Sequence, residues 1–248
     1  TNSNSQTTVS LSSVETLNTQ QRNIFNIITS KLQSKLPFVC FIDGPAGTGK
    51  TYLYTTLLTY ASSQNIIAIP VATSGVAASL LPNGQTAHSR FKLPLDLNES
   101  KLRNISKQSN LAKHLAHTSL IIWDEISMAR RELIEALDST LRDITESSHP
   151  FGGKVIVFGG DFRQITPVIP NATKDVYIES SCVSSPLFTN AHKFHLSMNM
   201  RARNDPSFTS LLETIGNNTC PTNTESEIQL PYHTLVQFLL STKALLLL

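Results

Sequence analysis

The stretch GPAGTGKT, residues 44–51, decides how this chain is read. Before it stands a short apolar run, FVCFI at 38–42, bounded by Pro37 and Asp43, which reads as a buried parallel strand. After it, residues 50–60 read as a helix. A glycine-rich loop between a strand and a helix matches GxxxxGK[ST], a phosphate-binding loop. Gly44, Pro45, Ala46, Gly47, Thr48 and Gly49 form the loop, and its glycines let backbone N–H groups turn inward on phosphate oxygens without Cβ clashes. The helix that follows adds its positive N-terminal end. Lys50 then neutralises β- and γ-phosphates and the Thr51 hydroxyl ligates magnesium, so ATP with Mg²⁺ is the expected cofactor.

A second site feature lies downstream. LIIWDEIS, residues 120–127, places Asp124 and Glu125 at the C-terminal end of an apolar strand, where open α/β sheets bind ligands. Asp124 suits the metal and Glu125 suits orienting or activating a water, although two acids after a strand also fit a helix cap.

Outward from these motifs the chain alternates. A helix is expected from Asn18, an N-cap with Gln21 three residues on as a capping box, and Ile24, Ile27, Ile28 and Leu32 recur at helical spacing. Strands are expected at 38–42, 66–71, 120–123, 155–158 and 194–196, with helices at 74–81 and around Leu133, Leu137 and Leu141. This predicts an α/β fold, a parallel sheet with helices on both faces. Residues 82–113 lack a strong period and read as an excursion from the sheet edge, a common seat of function.

Hydrophobic residues make up 40% of the 248 and charged residues 15%, with a net charge of +2, which fits a soluble globular protein. That charge excludes a strongly basic nucleic-acid binder, so any such contact rests on a local patch. Cys40, Cys182 and Cys220 form no CxxC pair, which argues against zinc or a disulfide framework. Residues 1–16 are polar and expected to be disordered, without a signal peptide. The run LVQFLLSTKALLLL at 235–248 is shorter than the roughly 20 residues a membrane span needs, so no membrane partner is expected, and a truncated gene end is.

Beyond the phosphate loop, several segments resemble Pif-type superfamily-one DNA helicases. GGKVIVFGGDFRQITPV, 152–168, resembles the third motif of that group, which makes Gln164 the γ-phosphate sensor; by spacing alone an ordinary polar loop fits equally. LNTQQ, 17–21, resembles the Q motif, with Gln21 on the adenine edge, in competition with its capping role. VATSGVAASLL and GQTAHSRFKLP, 71–81 and 84–94, resemble the motif Ia region, where Thr73, Ser74, His88, Ser89 and Arg90 fall at single-stranded DNA contacts. Phe91 there fits base stacking or a core position. LSMNMRA, 196–202, resembles motif IV and makes Arg201 the arginine finger, although a salt-bridged surface arginine also fits. WDEISMARRELIEALDSTLRDI, 123–144, is most similar to the Helitron-transposon branch.

The resemblance implies a P-loop NTPase with a RecA-like sheet over residues 17–216, followed by an irregular segment at 217–248 that stops before the second RecA-like domain. It implies a monomeric, ATP-dependent 5′-to-3′ helicase acting on single-stranded DNA in repair, recombination and telomere maintenance, in the nucleus or mitochondrion. A nucleotide-binding relic unable to unwind, or a P-loop ATPase unrelated to DNA, are the competing expectations; Gln164 and the motif Ia stretch weigh against the latter.

Overall fold

Side chains alternate across a strand, so an apolar run with no polar gaps must be covered on both faces. That is what the computed structural model shows; it describes residues 13–93, 105–164, 167, 173–201, 205–217, 219–222 and 228. In chain order, α1 (Thr19–Gln33) leads to β1 (Phe38–Asp43), α2 (Lys50–Ser63), β2 (Ala68–Ala72), α3 (Gly75–Ser79), β3 (Gln85–Thr86) and α4 (Ala87–Phe91). Then come α5 (Asn110–His117), β4 (Leu120–Asp124), α6 (Arg131–Thr145), β5 (Val155–Gly160), α7 (Lys174–Ser180), α8 (Pro186–Thr189), β6 (His192–His195) and α9 (Pro206–Gly216).

The six strands pair in parallel in the order β3-β2-β4-β5-β1-β6. Cys40, Ile42, Leu120, Ile122, Val155 and Val157 point to one face and pack with Ile28, Leu53 and Leu57 of α1 and α2. Phe41, Ile121, Trp123, Ile156 and Phe158 point to the other and pack with Phe91, Leu133, Leu137 and Phe188. Burial of such aliphatic and aromatic side chains contributes roughly 1.5–3 kcal/mol each before entropy is counted. The expected parallel sheet with helices on both faces is therefore present.

Several boundaries differ from expectation. The second strand begins at Ala68 rather than at 66, because α2 runs on to Ser63 and closes through Asn65 at φ 55° with Ile66 N–H donating to Ala61 O at 2.8 Å. The last strand is His192–His195, set by pairing with Cys40 to Asp43, and not 194–196. The excursion at 82–113 holds β3, α4 and α5, short elements capped by Thr86 and Ser109, whose few residues give no readable period; its residues 94–104 lie outside the described set. Of the tail expected to be disordered, residues 13–15 are helical and Val14 packs on the core, while 1–12 lie outside the described residues, as does 235–248.

Two compact units divide the chain, Thr1–Arg201 and Ala202–Leu248. Helix α9 falls in the second unit. Among the described residues no helix is long and apolar enough to cross a membrane.

Candidate nucleotide-binding site

The phosphate loop joins the C-terminal end of β1 to α2. Gly47 and Gly49 sit at φ 89° and 82°, the left-handed region that side chains resist. A Cβ at Gly47 would run into Asn199 Oδ1, and one at Gly49 into the Gln21 amide nitrogen, so the cradle has no room for either. Lys50 is 8% exposed and its ammonium donates to Gly44 O at 2.5 Å, folded back on its own loop with two donors left for an anion. The left-handed cap, the inward lysine and the start of α2 fit a polyphosphate.

Gln21 is buried and committed at both ends. Its Oε1 accepts from Asn18 N at 3.0 Å, completing the capping box, and its Nε2 donates to Thr48 O at 3.1 Å. The adenine-edge expectation is corrected accordingly: in this structure the amide caps α1 and pins the phosphate loop.

Asp124 ends β4 and Glu125 follows in the left-handed region at φ 54°, strain that persists only where the surroundings fix it, as at functional sites. Asp124 is 6% exposed; burial pushes its carboxyl up, opposed by the Glu125 N–H at 3.0 Å, the Lys50 charge and the Tyr54 hydroxyl. Glu125 is also pushed up, first by burial and then by the Asp124 and Asp161 charges, which suits a proton acceptor. Lys50, Asp124, Glu125 and Asp161 thus share one electrostatic neighbourhood. Among the described residues no three His, Cys, Asp or Glu converge as a metal cage. Magnesium held by one carboxylate, one hydroxyl and substrate phosphates would need no such cage.

The sensor loop leaves β5 at Asp161. Gln164 is exposed and its Nε2 donates to Asp161 Oδ2 at 3.0 Å. Burial would raise the Asp161 carboxyl, but hydrogen bonds from Arg163 and Gln164 outweigh it and hold it low. Arg163 Nε lies 2.8 Å from Asp161 Oδ1 and its NH2 group lies 3.7 Å from Asp43 Oδ2, which also takes His195 Nδ1 at 2.9 Å. Sequence reading missed Asp43, Arg163 and His195. The register that aligns Asp43 with Gly160 and His195 brings them together, and no local spacing reports it.

Backbone bonds tie these parts together: Gly44 N–H donates to Gly160 O at 3.3 Å, Leu196 N–H to Asp43 O at 2.8 Å and Met200 N–H to Gly47 O at 2.8 Å. Arg201 is exposed beside Gly47, with its backbone N–H on Asn199 Oδ1 at 3.0 Å.

The motif Ia residues gather at the other end of the same sheet edge, where Ala72 pairs with Thr86. Thr73 Oγ1 accepts from Trp123 Nε1 at 3.0 Å, and Ser74 caps α3 by accepting from Ala77 N–H. His88 and Arg90 are half-buried and Ser89 is exposed; burial lowers the His88 imidazole, disfavouring its charged form. Phe91 is 2% exposed, 6.3 Å from the Trp123 ring, so base stacking is ruled out for it and the core role holds.

Residues 16–226 match the family model described as PIF1-like helicase. The ATP-dependent DNA helicase RRM3 of Saccharomyces cerevisiae is 32% identical over 185 residues, 72% of this chain and 24% of that one. The ATP-dependent DNA helicase Pif1 of a Psychrobacter species is 34% identical over 130 residues, 52% of this chain and 20% of that one. The crystal structure of Pif1 helicase from Bacteroides in complex with ADP-AlF3 and ssDNA matches with a TM-score of 0.70 at 27% identity, over 83% of this chain and 47% of that one. The chain thus spans about a quarter of the length of the curated relatives it matches. A family model over most of the chain, on a sheet that carries the phosphate loop and paired carboxylates at its C-terminal edge, makes this chain a member of the PIF1-like helicase family.

Proposed function

We propose that this chain supplies the ATP-binding domain of a 5′-to-3′ DNA helicase that couples ATP hydrolysis to movement along single-stranded DNA. The observation that carries the reading is the backbone linkage of the phosphate loop to both flanking segments: Gly44 to the end of β5, and Gly47 to the segment bearing Arg201. A change at the nucleotide is thereby transmitted to Gln164 and Arg201 without crossing a flexible gap.

Lys50 and the loop N–H groups bind the β- and γ-phosphates; Thr51 and Asp124 would hold magnesium, which would neutralise charge developing on the phosphates. Glu125, raised by burial, takes the proton of an attacking water. Gln164 exchanges its bond to Asp161 for the γ-phosphate, and Arg201, permanently charged and exposed beside Gly47, reaches the same group. Ser89, Arg90 and the Thr73 hydroxyl offer contacts to DNA phosphates at the β2–β3 edge. Within the Helitron-like branch, repair, recombination and telomere maintenance in the nucleus or mitochondrion are the setting we propose.

The coupling is tested by fluorescence anisotropy of a labelled oligothymidine, titrated with the chain plus a non-hydrolysable ATP analogue or plus ADP. Different affinities in the two nucleotide states are expected. Binding that is absent, or equal in both states, overturns the proposal.

A further inference from the structure

Tyr54 lies one turn into α2 and is fully buried, and its hydroxyl finds no hydrogen-bond partner of good geometry among the described residues. A leucine or phenylalanine would fill the same core position without that liability, since a buried tyrosine hydroxyl ordinarily finds a partner. The strand beside it is shaped around the hydroxyl. Along β5, Val155 and Val157 project to the face that packs on α2, and the next position on that face is Gly159. A Cβ there would overlap Tyr54 Oη, and would lie 3.1 Å from Asp124 Oδ1. Tyrosine hydroxyl and aspartate oxygen therefore border the same small space, which only glycine leaves open. Asp124 Oδ1 also accepts from the Glu125 N–H at 3.0 Å, so this oxygen is the one already held by the protein.

We propose that Tyr54 is a positioning residue for the magnesium-binding carboxylate: its hydroxyl donates to Asp124 Oδ1 and so fixes the carboxylate, leaving Oδ2 for the metal. The inference rests on the Mg²⁺–ATP reading above. Partners that orient a metal ligand typically affect metal affinity by about 10–100-fold. Gly159 belongs to the same device, because any side chain there would displace the hydroxyl.

The test uses the full chain and a fluorescent N-methylanthraniloyl ATP. Binding is measured in EDTA and then across a magnesium titration, for the native protein, Tyr54→Phe and Gly159→Ala. For Tyr54→Phe the expected result is unchanged affinity in EDTA with the magnesium half-saturation point raised about tenfold. Gly159→Ala should show the same magnesium defect, and the double variant no more than either alone, because both remove one contact. A magnesium titration that is superimposable for native and Tyr54→Phe protein overturns the positioning role while leaving the nucleotide site standing. Equal weakening with and without magnesium overturns it in favour of a packing role. A native protein whose nucleotide binding ignores magnesium overturns the Mg²⁺–ATP reading itself, and the inference with it.

Discussion

The two ends of the sheet's C-terminal edge use similar residues to different ends. Around β1, β4 and β5, polar side chains are aimed inward by backbone geometry: Lys50 folds over its loop, Asp124 is buried and Glu125 is held at φ 54°. Around β2 and β3, polar side chains serve the local chain. Ser74 and Thr86 cap short helices, Thr73 accepts from Trp123, and Phe91 is buried beside the Trp123 ring. A site built from consecutive backbone positions is thus fixed by the fold. A surface assembled from separate side chains must also meet the structural demands of each.

The largest effect that would break this contrast concerns Phe91. Phe91→Ala should lower stability by about 3–5 kcal/mol, read as the denaturant midpoint of unfolding. An unchanged midpoint together with lost single-stranded DNA affinity would return Phe91 to the binding surface and erase the contrast. On the other side, Lys50→Ala should weaken ATP binding about 100-fold, the equivalent of two charge-assisted hydrogen bonds, with the fold intact. Unchanged nucleotide affinity in that variant would remove the phosphate-loop assignment.

A smaller effect sharpens the account of the nucleotide side. In a double-mutant cycle on unfolding free energy, Asp43→Asn and Arg163→Gln should couple by about 0.5–1 kcal/mol, as half-exposed ion pairs do. Strict additivity would mean that the two strand ends are not joined through these side chains. The smallest expected effect is a pH displacement. Because burial and neighbouring acids raise Glu125, the base is lost as pH falls through a value above its ordinary 4.5. Turnover should therefore decline on the acid side earlier than for an exposed carboxylate. An acid limb at or below the ordinary value would contradict the environment described for Glu125.

What sequence reading captured follows the same division. The loop at 44–51 and the acids at 124–125 were legible because phosphate chemistry demands fixed spacing between strand and helix. The alternating buried runs at 38–42, 120–123 and 155–158 announced the sheet. The link among Asp43, Arg163 and His195 was not legible, because residues 120 and 152 positions apart meet only through strand register, which carries no local signature. Tyr54 escaped notice for a related reason: an aromatic residue on an apolar helix face reads as core, and only the missing side chain at Gly159 shows where its hydroxyl points. Gln21 offered two readings in sequence, and the geometry chose the cap.

The most direct test of the central claim is ATP hydrolysis by the purified chain with and without single-stranded DNA. The account predicts magnesium-dependent turnover that rises when DNA is added and is lost in Glu125→Gln. Turnover that is indifferent to DNA, or nucleotide binding with no turnover in either condition, would contradict the coupling of the phosphate loop to Gln164 and Arg201 on which the account stands.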